Sequence, residues 1–258
     1  MIVPTLSILS TVLTLAQAWT PSWETLVADV AQSQMKSNLS QALNYTVPLS
    51  LIATWPNELG RWTKQYQNYR YVSLQNDSCT YNQTRDCPNN QCIQGGIDMY
   101  TQELNQSHVD HVKALSFIVN LVGQAHSPVH VAPSERAGGN NITVYFREDP
   151  MTFHDLWSSK MIAARIIDNF NGSSSNYSQM LQQQSSVYWN ASMSMNATEW
   201  LNETAQINCN YGVWSNISQN ANITEDYYQQ MTPLMELQII KAGVRLSRYL
   251  DQQNFTSC

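Results

Sequence analysis

The sequence predicts an all-α fold, a mainly helical chain carrying one small β-hairpin. Three observations point there. Apolar residues recur at helical spacing along most of the 258 residues. A single stretch, Val131 to Phe146, has strand character. No repeat or linker divides the chain, and with 43% hydrophobic and only 12% charged residues it can bury one large core or two modest ones.

The elements follow in order. Ser22 is a plausible N-cap after Pro21, and Leu26, Val27, Val30 and Ala31 share one face of the helix it starts. Leu49 to Trp62 is a second apolar stretch and Ile97 to Leu104 a third. Val109 to Gln124 is almost wholly apolar, so it reads as a buried helix. Ser107 with Asp110 suits a capping box at its start, and Pro128 must end it. Gly138 and Gly139 make a turn, after which Ile142, Val144 and Phe146 alternate with polar residues. Helix resumes over Phe153 to Asn169, Asn171 to Ser178 reads as a loop, and Gln182 to Gln184 as a short polar patch. Leu234 to Leu250 is the final helix.

The chain reads as exported. Residues Met1 to Ala18 have an apolar run, Ile8 to Leu15, then Ala16-Gln17-Ala18 as a small-x-small cleavage site, leaving 19–258 as one mature domain. No later run of about 20 apolar residues could span a bilayer. Fourteen Asn-x-Ser/Thr acceptors support export and surface glycans: Asn38, Asn44, Asn76, Asn82, Asn105, Asn141, Asn171, Asn176, Asn190, Asn196, Asn202, Asn216, Asn222 and Asn254. Of the five cysteines, an oxidising compartment pairs four, and spacing alone does not choose among three pairings. A net charge of -6 with no basic run argues against broad electrostatic capture of nucleic acid.

The segment Ala114 to Trp157 carries most of the specific information. Ala114, Leu115, Phe117, Gly123, His126, Pro128 and His130, then Gly138-Gly139-Asn140, then His154 and Trp157 together resemble the secreted zinc-dependent single-strand-specific nucleases of fungi and plants. Ala53 and Trp55, and the ending KAGVRLSRYLD, extend the resemblance over nearly the whole mature chain. It implies the mainly helical fold of the zinc-dependent nuclease and phospholipase C type. It also implies disulfides Cys87–Cys92 and Cys79–Cys209, leaving Cys258 free, capped or interchain.

That family holds three zinc ions, and the resemblance places its ligand positions at Trp19, Glu24, Asn57, Arg70, Asn120, Gln124, His130, His154 and Ser158. Only Trp19, His130 and His154 keep the family's residue type. Zinc takes N, S or carboxylate O donors, and neutral amides are weak ones. Arg70 brings a fixed positive charge to a place built for a dication. The expectation is therefore no metal cofactor, with His130 and His154 as residual candidates. Glu24 should pair with Arg70, and Asn57, Asn120 and Gln124 should form a hydrogen-bonded plug.

Elsewhere His126 reads as a packed, hydrogen-bonded histidine, and His108 with His111 as a solvated helix start. Asp155 follows His154 and should point away from it. These readings predict a secreted, catalytically inactive glycoprotein with a structural, assembly or binding role. Its partners would be copies of itself or other extracellular glycoproteins rather than nucleic acid. The alternative is a diverged single-strand endonuclease or 3′-nucleotidase with metal retained at His130 and His154.

Overall fold

The computed structural model describes residues 21–36, 47–60, 64–106, 110–188 and 193–253. The fold is mainly helical, as expected. Helix α1 (Trp23–Gln34) is capped by Ser22, whose side chain accepts from the Thr25 amide. The second apolar stretch is broken into α2 (Leu49–Ile52) and α3 (Trp55–Gly60), followed by α4 (Lys64–Tyr69). Helix α5 (Gln83–Asp86) precedes α6 (Ile93–Leu104), which begins four residues earlier than its apolar spacing suggested.

Helix α7 (His111–Ala125) is the centre of the molecule, with every residue from Ala114 to Ala125 buried. Asp110 caps it by accepting from the Lys113 amide, so one residue serves where a capping box was expected; Ser107 lies outside the described residues. The Trp23 indole donates to the Gly123 carbonyl at 2.9 Å, fixing α1 across α7. Helix α11 (Ala197–Asn210), which sequence periodicity did not single out, seals the far end. Thr204 donates to the Ala125 carbonyl, and Asn208 to the carbonyls of Pro128 and Val131. These bonds satisfy backbone acceptors that a helix end would otherwise leave buried and unpaired.

The β structure exceeds one hairpin. β1 (Val72–Leu74) pairs in parallel with β2 (Val131–Pro133). β3 (Thr143–Phe146) and β4 (Asp149–Thr152) form the expected hairpin, and β5 (Ala221–Ile223) adds to β3 in parallel. The hairpin turns at Arg147 and Glu148, both at positive φ, rather than at the two glycines. Gly138 and Gly139 sit in a 3₁₀ segment instead.

The last elements also differ from the sequence reading. α8 (Phe153–Asp155) runs through a π turn, Leu156–Lys160, into α9 (Met161–Phe170). The expected Asn171 to Ser178 loop is short, because α10 (Ser174–Tyr188) absorbs most of it and the glutamine patch. α12 (Glu225–Asp251) starts nine residues before the expected Leu234. Its cap is Thr224, and Pro233 is tolerated inside it because only one backbone bond is forfeited in a well-packed helix.

Both disulfides form as the resemblance implied, Cys79–Cys209 and Cys87–Cys92. The first spans 130 residues, which in the chain-entropy account stabilises the fold by about 5 kcal/mol. Cys258 lies outside the described residues. Of the acceptor asparagines, Asn76, Asn82, Asn141, Asn171, Asn176, Asn196, Asn216 and Asn222 are exposed and Asn105 and Asn202 half-buried; Asn38, Asn44, Asn190 and Asn254 fall outside the described residues. No described helix is long and apolar enough to cross a membrane.

α12 lies against α1 at a close crossing. A Cβ on Gly243 would meet Val30 Cγ1 at 2.4 Å and the Val27 carbonyl at 3.0 Å. Gly243→Ala should therefore destabilise the protein by roughly 1–3 kcal/mol through overpacking, read as a lower Tm; an unchanged Tm would mean that the crossing is loose.

His126 is the packed histidine expected. Its Nδ1 donates to the Val122 carbonyl at 2.8 Å, and its Nε2 accepts from Arg245, which also pairs with Glu203 beside Lys241. Burial first, and then the Arg245 charge, push the His126 pKa down to about 3. In the unfolded chain it returns to about 6.5. The unfolded state thus binds the extra proton between these values, so this histidine leaves stability intact above about pH 6.5 and erodes it as pH falls toward 3. Tm measured from pH 7.5 to pH 4 should fall, and fall less steeply in His126→Gln. Equal slopes would remove His126 as a cause.

Candidate active site

The buried end of α7 meets β1, β2 and the start of α8, and most of the positions singled out in the sequence gather there. His130 follows the turn after Pro128, and its Nδ1 lies 2.8 Å from the Arg70 carbonyl. A carbonyl only accepts, so Nδ1 carries the proton and Nε2 presents its lone pair. His154 lies in α8. Ser158, on the π turn, donates to the His154 carbonyl at 2.8 Å and has its oxygen 3.2 Å from His154 Nδ1. With its one hydrogen used, that hydroxyl accepts from Nδ1–H, which leaves His154 Nε2 as the bare nitrogen. That nitrogen is buried and has no partner.

The two imidazoles meet edge to face with ring centroids 5.0 Å apart. Burial holds His130 well below its usual pKa, with His154 and Arg70 adding to the effect. Burial and then Arg70 bring His154 to about 4. Both are neutral at pH 7, the form that binds metals. Gly139 lets the 3₁₀ segment lie against the start of α8, since a Cβ there would lie 3.0 Å from the His154 amide nitrogen.

The other half is chemically different. Asn120, wholly buried, accepts from the Tyr66 hydroxyl at 2.6 Å and donates to the Ala53 carbonyl at 2.7 Å, with Asn57 Oδ1 at 3.4 Å. Burial pushes the Tyr66 pKa far up, keeping it a donor. Gln124 is buried beside this group and approaches the Tyr66 hydroxyl, but neither of its amide atoms reaches good hydrogen-bond geometry. The expected plug thus forms at Asn57 and Asn120 and stops short of Gln124.

The expected ion pair between Glu24 and Arg70 does not form. Glu24 is buried against Gly123, and among the described residues Arg70 makes no ion pair. Its guanidinium lies 5.7 Å over the Tyr71 ring, and its Nε is buried without a partner. Both charges reach Tyr66, but α1 and the end of α4 approach it from different elements, which keeps the two side chains apart.

Trp19 and His108 lie outside the described residues. His111 is buried, with Nε2 3.0 Å from the Gln106 carbonyl, so it is not the solvated residue expected. Asp155 is exposed, as expected. Sequence reasoning missed Tyr66 and Tyr71. Tyr71 stacks on His130 at 4.9 Å and lines a cavity of about 230 Å³ with Ser73, Gly138 and Asn140. The aromatic-rich stretch around Arg70 was the available signal.

Residues 19–254 match the family model described as S1/P1 Nuclease. Endonuclease 4 of Arabidopsis thaliana is 24% identical, covering 92% of this chain and 89% of that protein. Nuclease S1 of Aspergillus oryzae is 26% identical, with 92% of each covered. Nuclease P1 of Penicillium citrinum is 24% identical, covering 79% of this chain and 84% of that protein. These findings correct the expectation of an inactive, non-enzymatic glycoprotein. The relatives are nucleases, and lost ligands at some positions do not by themselves abolish a site that keeps others.

The family is zinc-dependent, and the two halves fit zinc differently. No three His, Cys, Asp or Glu side chains gather among the described residues. Asn57, Arg70, Asn120 and Gln124 do not fit a dication. His130 and His154 do: each has its Nδ1 bonded, the outer-shell arrangement of metal-binding histidines, and His154 Nε2 is an orphaned buried acceptor. Ser158 stands where a third donor would help. Ser158→Asp should raise zinc affinity roughly tenfold or more, measured by calorimetric titration. No gain would show that the two imidazoles do not converge on one ion.

Proposed function

The chain belongs to the S1/P1 nuclease family, and from that membership we propose that it is a diverged zinc-dependent nuclease acting on single-stranded nucleic acid or 3′-nucleotides. Zinc would be held by His130 and His154. The carrying observation is the matched state of these imidazoles, both neutral, both anchored through Nδ1 and both presenting Nε2. A zinc ion bound there supplies Lewis-acid polarisation of a phosphate and a more acidic bound water.

The protein's own residues do the rest. The Arg70 carbonyl and Ser158 fix the tautomers and orientations of the pair. His154 Nε2 is shielded from bulk water, and His130 is buried as a residue. The cavity beside Tyr71, with Asn140 at its rim, offers a place for a nucleotide base. Nucleic acid is thus substrate in this reading, replacing the expectation that it would be avoided. The acidic net charge of -6 favours short or single-stranded substrates over long duplexes, whose capture needs clustered cations.

The same reading makes 19–258 one mature, secreted, N-glycosylated domain released by cleavage after Ala18. The apolar leader and fourteen acceptor sites support it, with eight acceptors exposed among the described residues. Self-association through Cys258 is compatible with it and independent of catalysis.

Protein secreted from eukaryotic cells should hydrolyse single-stranded DNA or RNA when zinc is supplied, with about one zinc retained per chain. His130→Ala and His154→Ala should each lower kcat/KM by roughly 100-fold or more while leaving the fold intact. Absence of hydrolysis in the zinc-loaded protein, or full activity in both variants, would refute the assignment.

A further inference from the structure

We propose that Arg70 binds the phosphate of a nucleotide substrate directly, supplying the positive charge that the replaced half of the site no longer takes from a metal ion. The proposal deepens the nuclease reading and rests on it for the identity of the ligand.

Four observations converge on this residue. First, its guanidinium is not consumed by the protein: among the described residues it has no acidic partner, and Nε is buried with none of any kind. Structural arginines here behave otherwise, Arg147 pairing with Asp168 and Glu225, Arg165 with Glu236, and Arg245 with Glu203. Arg70 is half-buried with no carboxylate beside it, so its guanidinium is open to an anionic ligand.

Second, Arg70 stands at the junction of the site. Its carbonyl orients His130, its side chain lies over Tyr71, and Tyr71 both stacks on His130 and lines the neighbouring cavity. A phosphate on the guanidinium would lie between the imidazole pair and that cavity.

Third, the neighbourhood is short of hydrogen bonds in a way phosphate oxygens suit. The buried Gln124 amide lies against the Tyr66 hydroxyl, on which the Arg70 charge also acts, without a well-formed hydrogen bond of its own, and a phosphate accepts from amide and guanidinium alike. Fourth, the ligand chemistry is selective. A planar guanidinium matches two oxygens of one phosphate, which Lys cannot do in the same geometry.

The same charge repels a metal dication at His130 and His154. Arg70 therefore acts on its two ligands with opposite sign, and a merely structural arginine would not. In full-length secreted protein with EDTA present, deoxyadenosine 5′-monophosphate should bind at least about tenfold more tightly than deoxyadenosine, by calorimetry. Arg70→Gln should abolish that gap, and Arg70→Lys should keep part of it. Zinc affinity, titrated without nucleotide, should rise about tenfold in Arg70→Gln. Melting curves identify folded variants, and Arg70→Lys carries the test if Arg70→Gln does not fold. Equal binding of nucleotide and nucleoside by the natural protein, or a gap that survives Arg70→Gln, overturns the proposal. Hydrolysis of single-stranded DNA with zinc is scored separately. An Arg70-dependent gap without hydrolysis leaves the anchor and removes the nuclease reading; hydrolysis with an Arg70-independent gap does the reverse.

Discussion

The burial of α7 from Ala114 to Ala125 is the constraint on which the rest depends. A helix enclosed on all sides can carry polar side chains only where partners reach them. Asn120 and Gln124 stand about one turn apart and His126 caps the helix, and their surroundings define three zones. Asn120 is satisfied by Tyr66 and Ala53, His126 by Val122 and Arg245, and Gln124 between them approaches the Tyr66 hydroxyl without a well-formed hydrogen bond. The unsatisfied residue lies beside the replaced half of the site, and the satisfied ones hold the framework in place.

The site shows how a metal-binding interior can be rebuilt without losing its shape. At Asn57 and Asn120, where the resemblance expects metal ligands, the interior closes on itself through hydrogen bonds between neutral amides. At Arg70 no such closure occurs: the buried Glu24, carried by α1, forms no ion pair with it among the described residues. The imidazole pair survives because its orientation depends on backbone carbonyls and a serine rather than on the ion. Those contacts keep both rings aimed, and burial keeps them neutral. The π turn after His154 belongs to this frame: it places Ser158 against the ring it orients.

Much of the framework was legible in the chain. The face Leu26, Val27, Val30 and Ala31 foretold α1, the apolar run into Pro128 foretold the buried α7, and the motif residues foretold the disulfides and the gathering of the site. Elements whose signals are not periodic were missed or misplaced. Helices α10 and α11 are rich in Ser, Asn and Gln, which favour loops in isolation but are held helical by packing of Tyr177, Leu181, Trp200 and Leu201. The parallel pairings of β1 with β2 and β3 with β5 join segments far apart in sequence, which local pattern cannot register.

By itself the sequence determined the class of fold and the covalent frame, because each is a matter of residue type at a fixed position. It could not determine what the site can do. The inference from missing ligands to an inactive protein failed because it counted donors, and whether a donor works depends on its tautomer, its neighbours and its burial. Only the tertiary structure shows that Ser158 and the Arg70 carbonyl leave two nitrogens available, and that Glu24 leaves Arg70 unneutralised. Those outcomes turn on ångström distances between elements far apart along the chain, and long-range packing alone sets them.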